Sequence, residues 1–164
     1  MAFKHQIFYA ITLALCLGAG SALAAAQPAA GHDHAHHGGA AQPALDNGKK
    51  WAIDEPLRKA MGAIRDAVAA SLDGIHNGKF ADAEYAGLAK KIGGEVEYMV
   101  GNCKLDPKAD AQLHLIIADI LAGIETMEGK RKKIKRMDGA VKVIGALEKY
   151  PAYFDDPGWK PLKH

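Results

Sequence analysis

The chain has 164 residues, 49% of them hydrophobic, and a formal net charge of +2. So even a balance of charge leaves no electrostatic footprint for nucleic acid. The residues outside the N-terminal segment hold a single cysteine, Cys103, which rules out an internal disulfide and leaves a buried thiol, a metal ligand or an intermolecular bond.

The N-terminus begins with Lys4 and His5, continues as an apolar run from Ile7 to Gly18, and reaches Ser21, Ala22, Leu23 and Ala24. Basic, apolar and small residues in that order describe a secretory signal peptide over residues 1–24, with Ala22 and Ala24 as its A-x-A pair. The apolar run falls short of the roughly 20 residues that span a bilayer, so no membrane span is expected. Cys16 suggests lipidation as an alternative, but Leu15 stands where a lipoprotein signal carries a small side chain. Export to the periplasm is the expectation, and about 140 residues then remain, enough for one domain with its own core.

Residues 25–48 are rich in Ala, Gly, Pro and Gln, which cannot bury a core and predict a disordered arm. Within it lies Gly31-His32-Asp33-His34-Ala35-His36-His37-Gly38. Neutral imidazoles at His32, His34, His36 and His37 can converge on copper, zinc or nickel without a preformed site, with affinity rising as they lose protons. A neutral spacer is the alternative reading.

Residues 49–164 read as helical. Asp54-Glu55-Pro56 supplies a cap and an early proline. Leu57, Met61, Ile64, Val68, Leu72 and Ile75 then recur at spacings of three and four, predicting one helix as far as Asn77-Gly78. A second helix starts near Asp82, and Tyr85, Leu88, Ile92, Val96 and Met99 form its apolar stripe. Cys103 continues that stripe just beyond Gly101-Asn102.

Asp106-Pro107 opens the third helix, with Leu113, Ile116, Ile117, Ile120, Leu121, Ile124 and Met127 on a face broad enough for two neighbours, and Gly129 ends it. The run Lys130-Arg131-Lys132-Lys133-Ile134-Lys135-Arg136 suits the C-terminal end of that helix and opposes the start of another. It reads as a solvated connection, or as a docking point for an acidic envelope protein or anionic lipid. The fourth helix is therefore expected from about Asp138 to Tyr150, with Met137, Val141, Ile144 and Leu147 facing inward. Beyond it, Pro151, Pro157 and Gly158 break the helix, and the rings of Tyr150, Tyr153, Phe154 and Trp159 are expected to cover one end of the domain and meet Trp51. Four amphipathic helices with short connections predict an all-α, antiparallel up-down four-helix bundle.

The chemistry available in the folded part is soft. Met99 and Cys103 are four residues apart and directed inward, and two sulfur donors with His114 across the turn suit Cu(I). Asp110 lies one turn before His114 and can orient its ring. Ordinary core packing explains the sulfur pair equally, since methionine fills irregular gaps and free cysteine is commonly buried. There is no C-x-x-C-H, H-E-x-x-H, G-x-S-x-G or Gly-rich phosphate loop, and no paired Glu-x-x-His of a di-iron bundle, so no enzyme is expected.

With its histidine-rich arm, lone-cysteine turn and closing Pro157-Gly158-Trp159, the chain resembles small periplasmic four-helix-bundle proteins of Gram-negative bacteria. At the level of fold, residues 50 to 155 also look like the four-helix cytochromes. Those hold haem through a histidine near the end of the last helix, often in C-x-x-C-H. The fourth helix here has no histidine and Met61 would be an unpartnered axial ligand, so the likeness implies the fold and no haem. Together these readings predict a periplasmic protein that binds or buffers copper, zinc or nickel through His32, His34, His36, His37, Met99, Cys103 and His114. A protein-interaction module using Lys130 to Arg136 is the alternative, and a haem-binding electron carrier the third.

Overall fold

A computed structural model describes residues 41–163. The signal segment, Cys16 and the four arm histidines, His32, His34, His36 and His37, lie outside the described residues.

The described chain is mostly helical. Its elements run β1 (Trp51–Ala52), α1 (Glu55–Ala69), α2 (Leu72–His76), α3 (Asp82–Asn102), α4 (Pro107–Met127), α5 (Arg136–Tyr153) and β2 (Phe154–Asp155). Helix α1 packs on α3, α3 on α4, and α4 most extensively on α5. No helix among the described residues is long and apolar enough to cross a membrane.

Folding begins ahead of residue 49. The Ala44 amide donates to the Gln112 side chain at 2.9 Å and the Trp51 indole to the Ala44 carbonyl at 2.7 Å. Asp46 and Lys49 close a tight turn through Asn47 and Gly48, both at positive φ. Residues 44–48, expected to belong to the disordered arm, are thus folded, because Ala44 has partners in Gln112 on α4 and in Trp51.

The first predicted helix is divided. Its stripe is buried throughout, from Leu57 to Ile75. At Ala70 and Ser71, however, the Ser71 hydroxyl donates back to the Ala67 carbonyl and the regular ladder is interrupted between α1 and α2. Serine competes with the helical ladder in this way because its short side chain reaches the preceding turn.

Helix α3 buries Tyr85, Leu88, Ile92, Val96 and Met99 as predicted and ends where the Cys103 amide bonds the Met99 carbonyl. Asp106 caps α4 by accepting from the Lys108 amide at 2.9 Å. Gly129 (φ +78) closes it, with the Arg136 guanidinium beneath it and donating to the Met127 carbonyl.

Two features of α5 depart from the sequence reading. It starts at Arg136, not at Asp138, whose carboxylate instead reaches back to the Lys135 amide. It also passes through Pro151 to Tyr153, since a proline in the last turn forfeits only one ladder bond. Its buried face is Gly139, Ala140, Val143, Ile144, Ala146, Leu147 and Tyr150. Met137 (40% exposed) and Val141 (56%) point outward, as does Leu121 (44%) on α4, against expectation. The reason is close approach: a Cβ on Gly123 would meet the Gly139 carbonyl at 2.7 Å, so the glycine side of α5 faces α4.

The termini of the domain meet as expected. Strands β1 and β2 pair in parallel, Trp51 opposite Phe154 and Ala52 opposite Asp155. Tyr150 stacks on Phe154 (centroids 5.3 Å apart) and tilts against Trp159 (4.9 Å). Tyr150 and Phe154 are among the largest fully buried side chains, so these two rings are core, and the partly buried Trp51 and Trp159 pack against it.

Candidate metal pocket at the Cys103 turn

The end of α3 and the first two turns of α4 enclose a pocket of about 170 Å³. It is lined by Met99, Val100, Cys103, Asp110, Leu113, His114 and Ile117, so all three donors predicted on the folded part border one space. Sequence spacing places them there. Met99 and Cys103 are one turn apart, Asp106-Pro107 starts α4 directly after the turn, and Asp110 and His114 follow on successive turns of the side facing α3.

The three are presented differently. Met99 is fully buried, so it borders the pocket from the core side. His114 is largely exposed, with Nδ1 2.9 Å from the Asp110 carbonyl oxygen and 3.4 Å from its carboxylate. Donation from Nδ1 to that carbonyl leaves Nε2 as the nitrogen with a free lone pair, the arrangement that metal-ligating histidines use.

Cys103 is half-buried and hydrogen-bonded to the Asp54 carboxylate. Burial, then the charge and hydrogen bond of Asp54, and then Asp110 push its thiol up to about 12. It is therefore a proton-bearing thiol at neutral pH, and a metal ion there must displace that proton. Sequence reasoning identified Asp54 as a helix cap but missed this role. One carboxylate oxygen accepts from the Leu57 amide at 3.0 Å, and the other from the Lys104 amide at 2.6 Å, 50 residues away. Only the folded chain brings the Cys103 turn onto that cap.

Among the described residues, no group of three or more His, Cys, Asp and Glu side chains is disposed to hold a metal. The donor set at the turn is instead mixed: one thiol, one thioether and one imidazole. Such a set matches a soft monovalent ion better than zinc or nickel. A larger open groove of about 920 Å³ between α3 and α4 is lined by Ala86, Ala89, Gly93, Gly94, Leu121 and Ile124 with flanking charges, and has no sulfur or imidazole donor.

The basic run is a connection with much of its charge engaged. Lys130 pairs with Glu128 (2.6 Å), Arg131 with Glu125 (3.5 Å) and Arg136 with Asp82 (3.1 Å). No protein family, curated protein or solved structure matches the chain.

Proposed function

We propose that the protein binds transition metals in the periplasm, with an antiparallel up-down four-helix bundle formed by α1, α3, α4 and α5 as its folded part. In this reading Met99, Cys103 and His114 hold Cu(I) at the α3–α4 turn. The arm histidines His32, His34, His36 and His37 supply a second, adaptable site for copper, zinc or nickel. The observation that supports it is the shared pocket, which joins two sulfur donors and an imidazole whose tautomer leaves Nε2 available. A bound cation would supply charge, and the chain's own residues do the rest. Cys103 gives up its proton, Asp110 fixes the His114 ring, and buried Met99 limits access to ions that accept a thioether.

Competition for Cu(I) against a chromophoric chelator under reducing conditions tests the assignment. Cys103→Ser and His114→Gln should each weaken binding by about tenfold or more, the effect expected when a ligand or its orienting group is lost. Deletion of residues 25–43 should abolish a weaker component and leave the stronger one. Affinity no tighter than millimolar in the intact protein would end the metal reading. Affinity that resides wholly in the arm would remove the folded site from it.

A further inference from the structure

We propose that the connection between α4 and α5, with the outer face of the first turns of α5, docks on an anionic lipid surface. Six large hydrophobic side chains are exposed among the described residues, and three of them, Ile134, Met137 and Val141, fall within eight positions of the chain. Met137 and Val141 are one turn apart on α5 and share a face, and Ile134 is exposed in the connection three residues before Met137.

The exposure of Met137 and Val141 is imposed by packing. Gly139 lies against Gly123 on α4, so positions two residues to either side of it, about 200° around the helix, must face away. Met137 and Val141 are thus held outward.

Charge complementarity identifies the occupant. Lys130, Arg131 and Arg136 are neutralised by Glu128, Glu125 and Asp82, but the ammonium groups of Lys132, Lys133 and Lys135 have no carboxylate partner among the described residues. Three free ammonium groups beside three protruding apolar side chains combine the two attractions that hold peripheral proteins on anionic bilayers: headgroup charge and shallow apolar insertion. An acidic protein would use the lysines and leave Ile134, Met137 and Val141 with no role.

Vesicle co-sedimentation at pH 7.5 in a chelator, with the exported form of the protein, tests this independently of metal binding. The probes are vesicles of phosphatidylcholine alone and vesicles with about a third phosphatidylglycerol. Binding is expected only to the anionic vesicles and should fall with salt. The triple variant Lys132→Gln, Lys133→Gln, Lys135→Gln should lose about a hundredfold, near fivefold for each lysine. Met137→Ser with Val141→Ser, both on an exposed face, should lose at least tenfold and keep its salt dependence. Unchanged thermal melting of both variants keeps the comparison valid, and the single replacements Lys132→Gln, Lys133→Gln, Lys135→Gln and Val141→Ser, each expected to lose about fivefold, serve if either combined variant melts early. The proposal is overturned by equal binding to neutral vesicles, by no binding at all, or by insensitivity to the serine pair. Displacement by soluble polyglutamate with the serine pair inert would instead mark an acidic-protein surface.

Discussion

Gly123 of α4 and Gly139 of α5 lie back to back: a Cβ on Gly139 would stand 2.5 Å from the Gly123 carbonyl oxygen and 2.7 Å from the Met127 amide nitrogen. Both obstacles are backbone, so relief requires the helices to separate. Gly139→Ala should therefore destabilise the domain by about 2 to 3 kcal/mol, the range for over-packing a tight contact. Gly145→Ala, on the same helix with open space around its Cβ, should instead stabilise by about 0.5 to 1 kcal/mol. Urea unfolding of the two variants checks the pair. Equal effects would mean that the glycine contact does not set the α4–α5 spacing.

Asp119 fastens the same two helices from the side. Its carboxylate oxygens accept from Lys142 at 3.0 Å and Lys149 at 2.7 Å, residues two turns apart on α5. Burial raises its carboxyl, but the hydrogen bonds and charges of Lys149 and Lys142 outweigh that and hold it below the usual carboxylate range. A depressed folded value means that the stabilisation is present above about pH 4 and is lost as pH falls through the folded value. Asp119→Asn should accordingly cost about 1 kcal/mol at pH 7. The deficit should shrink steadily below pH 4, measured by urea midpoints against the parent chain.

The same interface explains where sequence reasoning stopped. Apolar periodicity located α3 and, Leu121 excepted, the buried face of α4, since each of their stripes is a row of large side chains and hydrophobic burial is strong enough to orient it. On α5 the rule placed Ile144 and Leu147 correctly but failed in the first turns, because the tightest contact there is made by residues with little or no side chain, Gly139 and Ala140. Periodicity counts hydrophobic bulk, so it selected Met137 and Val141, which are exposed. At the candidate pocket, Met99, Cys103 and His114 were legible from local spacing across one turn. Asp54 was not, because its second hydrogen bond spans 50 residues and depends on how α1 meets the α3–α4 connection.

Burial, together with the Asp54 carboxylate that this long-range bond holds beside it, makes Cys103 chemically quiet. Its thiol ordinarily titrates near 9 and is pushed up to about 12 by burial, Asp54 and Asp110. Any stability it contributes is thus present below pH 9 and is lost as pH rises through 12. Since the thiolate is the nucleophile, iodoacetamide at pH 8 should alkylate Cys103 at least tenfold more slowly in the folded protein than in urea. Asp54→Asn, which removes the charge but keeps an acceptor for the Leu57 amide, should raise the folded-state rate several-fold. An Asp54→Asn rate equal to that of the folded parent chain would show that the carboxylate does not protect the thiol.

The tail closes on another buried carboxylate. The Asp156 side chain is 2% exposed and faces the Tyr150 hydroxyl at 3.3 Å, the Gly158 amide at 3.0 Å and Arg58 Nε at 3.7 Å. Burial, followed by the charge and hydrogen bond of Asp156, drives the Tyr150 phenol well above its usual range, so it remains a donor at every physiological pH. Tyr150→Phe removes one of three partners and should cost about 1 kcal/mol. Asp156→Ala strands the buried hydroxyl and the Gly158 amide together and should cost about 2 to 3 kcal/mol. The loss should be local before it is global, because Trp159 rests on Tyr150 and its amide bonds the Asp156 carbonyl. In a Trp51→Phe background Trp159 is the sole indole. Its emission should shift red and its acrylamide quenching rise in Asp156→Ala at denaturant concentrations where helical circular dichroism is still native. Coincident transitions by the two probes would instead make the tail an inseparable part of the helical core.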